Sequence, residues 1–137
     1  MQPIIVRSPT RVDLAGGTLD LWPLYNFTHG AQTINVAIDI WTEAEIHPHS
    51  GEEIIFESPD LSAKQSFQNL KAVLESQDST WGLNRSVLRF WKPAGGFKLI
   101  TRSQSPVGGG LGGSSSLTVS LMKAFSTWTK KKLFRQR

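Results

Sequence analysis

The sequence predicts an α+β fold. Alternating, strand-like stretches dominate the chain up to Ser58, helical spacing sets in only from Phe67 onward, and a strand, a glycine-rich turn and a helix follow. Regular alternation of strand and helix is missing, which argues against a doubly wound parallel sheet.

The first elements are read as short strands at residues 3–7, "PIIVR", and 11–15, "RVDLA", parted by the turn-prone Ser8-Pro9-Thr10. Residues 33–47 alternate, with Ile34, Val36, Ile38 and Ile40 on one face and Asn35 and Asp39 on the other, which marks a half-buried strand. "PHSGEE" reads as a turn and "IIFES" as a returning strand, so the two strands are expected to pair as a hairpin. His47 and His49 fall at that turn with no third ligand nearby, and no metal site is expected there. Phe67, Leu70, Val73 and Leu74 have helical spacing, and "NRSVLRFW" is a second short helix. "GFKLITR", residues 96–102, returns to strand. Leu117, Leu121, Phe125 and Trp128 then recur at helical spacing, predicting a helix that starts near Ser114.

Composition bounds the function. The 137 residues suffice for one domain with a true core, since a chain of this size buries roughly 70% of its unfolded surface. With no cysteine, disulfide scaffolds and thiolate metal sites are excluded. No apolar stretch approaches the ~18 residues of a membrane span and no basic-then-apolar leader opens the chain, so a cytoplasmic protein without membrane partners is expected. The net charge of +4 arises at the end: Lys130, Lys131, Lys132, Arg135 and Arg137 outweigh an otherwise nearly neutral chain, in which every acid lies at or before Asp78. Residues 1–129 are therefore read as one domain and 130–137 as a disordered basic tail, with no nucleic-acid partner because no aromatic platform accompanies the tail.

The densest signal is "SPVGGGLGGSSSL", residues 105–117. A strand, a glycine-rich turn and a helix N-terminus make an anion site, because free backbone N–H groups and the helix dipole both favour negative charge. Ser114, Ser115 and Ser116 stand where capping hydroxyls belong. A Walker loop would need a lysine after Gly113, where Ser114 stands. The dinucleotide pattern matches formally through Gly108, Gly110 and Gly113, but it requires a ribose-binding acid further on, and none follows Asp78.

With its proline and leucine included, the stretch resembles the nucleotide loop of the GHMP kinases, the family of galactokinase, homoserine kinase and mevalonate kinase. Pro106, Gly108, Gly110, Leu111, Gly112 and Ser114 are in register, and Gly113 replaces a serine common in the family. "RSPTRVDLAGGTLDLWPLY" resembles the family's N-terminal motif through Pro9, Arg11, Gly16 and Asp20, and is most similar to the heptose-phosphate and fucose kinase branch. It departs from that branch where Leu19 stands directly before the aspartate and Thr18 comes one place early.

The resemblance implies a fold like domain 2 of ribosomal protein S5, a sheet covered by helices on one side, here incomplete. It implies that Gly108, Gly109, Gly110, Leu111, Gly112 and Gly113, with Pro106, Ser114 and Ser115, hold ATP, and that Ser114 helps hold Mg²⁺. Arg11 would stand near the transferring phosphate, and Gly17 and Asp20 would meet the substrate. The implied activity is ATP-dependent phosphorylation of a sugar or sugar phosphate, heptose-phosphate-like. The family is longer, with a third glycine motif and, in many members, a catalytic aspartate, so the chain reads as the N-terminal part and is expected to be inactive alone. The alternative is an inactive nucleotide- or sugar-binding remnant or a truncated product. With part of the family's cover missing, the helix face of Leu117, Leu121, Phe125 and Trp128 is expected to be exposed and to favour self-association.

Overall fold

The structure, a computed structural model, describes residues 2–19 and 21–131. Five strands form one sheet: β1 (Ile4–Ala15), β2 (Ile34–His49), β3 (Ile54–Ser58), β4 (Ala63–Phe67) and β5 (Gly96–Ser103). Among the described residues three α-helices accompany them, α1 (Leu70–Glu75), α2 (Gly82–Trp91) and α3 (Gly113–Thr129). The strand order is β1-β2-β5-β3-β4, antiparallel throughout except for the parallel pair β3 and β5.

Period-2 alternation explains how each strand lies. In β2 the even positions Thr42, Ala44 and Ile46 are buried, while Glu43, Glu45 and His47 point the other way. The buried face meets α3, with Ala44, Ile46, Phe56, Phe97 and Leu99 forming one core with Leu121, Ala124 and Phe125. Phe97 and Phe125 meet edge-on at 5.6 Å, and Phe97 and Trp128 at 5.0 Å. Burying one such ring contributes about 1.5–3 kcal/mol. The opposite face carries cross-strand ion pairs: Arg7 to Glu43 at 3.0 Å, Arg102 to Glu43 at 2.6 Å and to Glu45 at 2.9 Å, and Lys98 to Glu57 at 2.9 Å. Each exposed pair is worth only tenths of a kcal/mol. Among the described residues no helix is long and apolar enough to cross a membrane.

Several expectations are corrected. Residues 3–7 and 11–15 form one continuous strand with no turn at Ser8-Pro9-Thr10: the register with β2 shifts between Pro9 and Thr10, so a bulge absorbs the proline, which has no N–H to give the ladder. β2 and β3 are no hairpin, because β5 lies between them and pairs with both. His47 and His49 lie in β2, opposite Lys98 and Gly96, and His47 Nε2 meets Glu45 at 2.6 Å. Phe67 ends strand β4, and the helix beside it begins only at Leu70, capped by Asn69, whose Oδ1 accepts from the Ala72 amide at 3.0 Å. The α3 face expected to be exposed is covered: Leu121 and Phe125 are fully buried, and Leu117 and Trp128 pack against the core. The exposed apolar surface lies elsewhere, at Leu14, Leu21, Trp22, Phe27, Ile34 and Val36. In the basic tail, Lys130 follows α3 in the left-handed region and Lys131 reaches the Trp91 carbonyl, while Lys132 and the residues after it lie outside the described residues.

Candidate active site

The glycine loop is anchored before it begins. Gln104, just past β5, donates from its amide to the Trp41 carbonyl at 2.9 Å and accepts from the Trp41 amide through Oε1 at 2.8 Å. The Ser105 amide then donates to Ser103 Oγ at 3.2 Å. The chain turns at Pro106, whose carbonyl accepts from the Gly109 amide at 3.0 Å. Gly108, Gly110 and Gly112 have φ of +76°, +70° and +67°, while Gly109 and Leu111 between them stay out of the left-handed region. Alternation of this kind is the backbone pattern by which successive N–H groups can face one side as an anion-binding concavity, and only glycine adopts it cheaply. At Gly109 the constraint is space: a Cβ would meet Pro106 Cγ at 2.9 Å.

Helix α3 begins at Gly113 behind an N-cap of Gly112, and no side chain caps it. The serines are thus inside the helix rather than capping it. Ser114 and Ser115 are exposed in its first turn, and Ser116 points into the protein. The uncapped amides at this end leave the positive pole of the helix open to the loop.

Ser116 fastens the helix to β1. Its hydroxyl lies 3.0 Å from the Ser8 carbonyl, 2.9 Å from the Pro9 carbonyl and 2.9 Å from Thr42 Oγ1. Those carbonyls sit at the bulge, where the ladder is interrupted, and a helix hydroxyl is on hand for them. Thr42 Oγ1 also meets Ser120 Oγ at 3.3 Å. β1, β2 and α3 are pinned together directly behind the loop.

Two clefts flank the loop. The larger, about 400 Å³, runs between Pro106–Ser115 and a wall made of Ser58, Asp60, Leu61, Trp81, Leu83 and Asn84. The smaller, about 220 Å³, lies between the loop and β1, with Pro9, Thr10, Arg11 and Asp13 facing Gly110, Gly112 and Ser115. The loop positions singled out in the sequence (Pro106, Gly108, Gly109, Gly110, Leu111, Gly112, Gly113, Ser114 and Ser115) all line the larger cleft. Arg11 joins the smaller one, its Nε bonded to Asp13 Oδ1 at 3.0 Å. Gly17 lines neither cleft and packs on Asp13, so closely that a Cβ would stand 2.9 Å from that side chain. Asp20 lies outside the described residues. Among the described residues no group of three or more His, Asp or Glu could hold a metal ion.

The shifted acid–base groups mostly sit away from the clefts. Arg102, by hydrogen bonding, holds the Glu45 carboxyl below its ordinary value, with His47 adding to the effect against the opposing cost of burial, and Glu45 in turn raises Arg102. Arg102 also lines the larger cleft, but its guanidinium is engaged by the two glutamates. Sequence reasoning missed Gln104, Thr42 and Asn84. Only Asn84 had a signal: it stands three, four and seven residues before Val87, Leu88 and Trp91, in register with the buried stripe of α2.

Residues 71–137 match the domain described as GHMP kinases N terminal domain. The chain is 33% identical over 133 residues to the D-glycero-alpha-D-manno-heptose 7-phosphate kinase of Campylobacter jejuni, covering 93% of this chain and 38% of that protein. It is 29% identical over 139 residues to a mevalonate kinase of Methanocaldococcus jannaschii, covering 95% and 42%. Among solved structures, the D-glycero-D-manno-heptose 1-phosphate kinase of Bacteroides thetaiotaomicron superposes with a TM-score of 0.80 at 25% identity, over 96% of this chain and 44% of that one. The chain spans about two fifths of the length of the curated relatives it matches. The glycine loop, the strand–loop–helix geometry and these likenesses make the chain similar to the N-terminal part of the GHMP kinases.

Proposed function

We propose that the chain binds the triphosphate of ATP in the concavity of Gly108–Gly113 and the first turn of α3, as the nucleotide-holding part of a kinase that phosphorylates a sugar or sugar phosphate. The observation that carries this reading is the alternation of positive φ at Gly108, Gly110 and Gly112, ending on an uncapped helix N-terminus beside a cleft of about 400 Å³. The backbone amides hold phosphate oxygens in place, and the hydroxyl-pinned helix keeps them from drifting. Asp13 fixes the Arg11 guanidinium at the smaller cleft, on the loop's other side, where it stabilises negative charge on a phosphoryl group in transfer. Mg²⁺ is compatible with the residues present: Ser114 offers one exposed hydroxyl, and with no carboxylate cluster among the described residues the remaining ligands are phosphate and water. When bound, the ion supplies charge neutralisation. The likeness to a heptose 7-phosphate kinase supports a heptose phosphate as acceptor.

The test is calorimetry of Mg-ATP binding to the chain and to Gly110→Val and Ser114→Ala. Affinity falls in both, and is abolished in Gly110→Val because a β-branched residue resists a φ of +70°. Unchanged affinity in both variants removes the loop from nucleotide binding. A coupled assay with heptose phosphates, hexoses and mevalonate tests turnover: the chain alone is expected to show little or none, and robust acceptor-dependent turnover would overturn its reading as only the nucleotide-holding part of such a kinase.

A further inference from the structure

The wall of the larger cleft opposite the glycine loop contains an amide with nothing to bond. Asn84 is only 5% exposed, and its Nδ2 has no hydrogen-bond partner among the described residues. It occupies the inward face of α2 with the buried Val87, Leu88 and Trp91, a position where an apolar residue is the ordinary choice. An amide donor left unpaired there costs about 1–3 kcal/mol, so its retention calls for an acceptor that the protein itself does not provide. Asn84 also lines the cleft, beside Leu61, Trp81 and Leu83. Trp81 in turn packs at a tilt against Phe56, with ring centroids 5.3 Å apart.

The cleft thus has two chemistries: backbone amides and a helix N-terminus on the loop side, and opposite them the apolar Leu61, Trp81 and Leu83, a Ser58–Asp60 pair bonded to each other at 3.0 Å, and the unpaired donor of Asn84. A ligand suited to both carries a polyphosphate and a flat heteroaromatic ring bearing a hydrogen-bond acceptor. We infer that Asn84 is a specificity-determining residue of this site, its Nδ2 donating to a ring nitrogen or carbonyl of the nucleotide base, which lies against Leu61 and Leu83. The inference rests on the triphosphate reading of the loop and goes beyond it, because that reading does not say how the base is recognised.

Inorganic triphosphate separates the two. The full chain and its Asn84→Ala and Asn84→Leu variants are titrated with Mg-ATP and with Mg-triphosphate, alongside Gly110→Val. Loss of one neutral hydrogen bond lowers ATP affinity about tenfold in both Asn84 variants and leaves triphosphate affinity within about twofold. A second readout requires no substitution: in ¹⁵N-correlated spectra of the unmodified chain, the Asn84 side-chain amide pair moves on adding ATP and stays in place on adding triphosphate. Equal losses for both ligands, undiminished ATP affinity, or an amide pair that ignores ATP each overturn the role of Asn84. If Gly110→Val abolishes triphosphate binding in that same experiment, the loop reading stands while this one falls. If the unmodified chain binds neither ligand, both fall together.

Discussion

Replacing Ser116 by alanine deletes one oxygen from the point where α3, β1 and β2 meet. That oxygen lies within 3.0 Å of the Ser8 carbonyl, the Pro9 carbonyl and Thr42 Oγ1, and Ser116 itself is nearly fully buried. A hydroxyl has one proton, so the loss is one well-made donor bond, plus one interaction with Thr42, which retains only long contacts of 3.4 Å to Ser8 O and 3.3 Å to Ser120 Oγ. One net hydrogen bond contributes about 1 kcal/mol, and leaving a buried carbonyl unmet raises the cost to about 1–3 kcal/mol. At roughly 4 °C per kcal/mol for a domain of this size, the thermal midpoint falls by ~4–12 °C. Ser115→Ala, one residue earlier and exposed, is the control and shifts the midpoint by less than about 1 °C. Differential scanning calorimetry measures both, and urea denaturation with unchanged slope shows that stability, rather than the unfolded state, has moved. A Ser116→Ala midpoint indistinguishable from that of Ser115→Ala would refute the pinning argument.

Two further outcomes follow from the geometry. Gly110→Ala meets no neighbour within 4 Å, so its cost is backbone strain at φ +70°, about 1 kcal/mol; Gly109→Ala instead drives a Cβ against Pro106, and melting curves place it lower than Gly110→Ala if crowding outweighs strain. The Glu45 carboxyl, held below its ordinary 4.5 first by Arg102, contributes stability that is fully present above that pH and is lost as pH falls through the lowered folded value. The gap in urea midpoint between the parent and Arg102→Met therefore narrows as pH falls from about 6 to about 3, and a gap that stays constant contradicts the pairing.

What was legible in the sequence was local. Glycine is the residue that tolerates positive φ, so a run of glycines between a strand and an apolar 3.6-residue repeat announced both the loop and α3 before any partner was known. The same locality explains the errors. Alternation along residues 34–46 specified which side chains share a face, but it did not specify which strand lies beside them, and β5 took the place assigned to β3 because pairing is settled between segments distant in sequence. Pro9 looked like a turn because its missing N–H is a local fact; that a bulge and the hydroxyl of Ser116, 107 residues away, accommodate it is not. Asn84 drew no reading from the sequence although it shares a helical stripe with Val87, Leu88 and Trp91, and only the tertiary fold set it across a cleft from the glycine loop. Backbone preferences act over a few residues and can be read in order, whereas a site is made by surfaces that meet only when the core has closed.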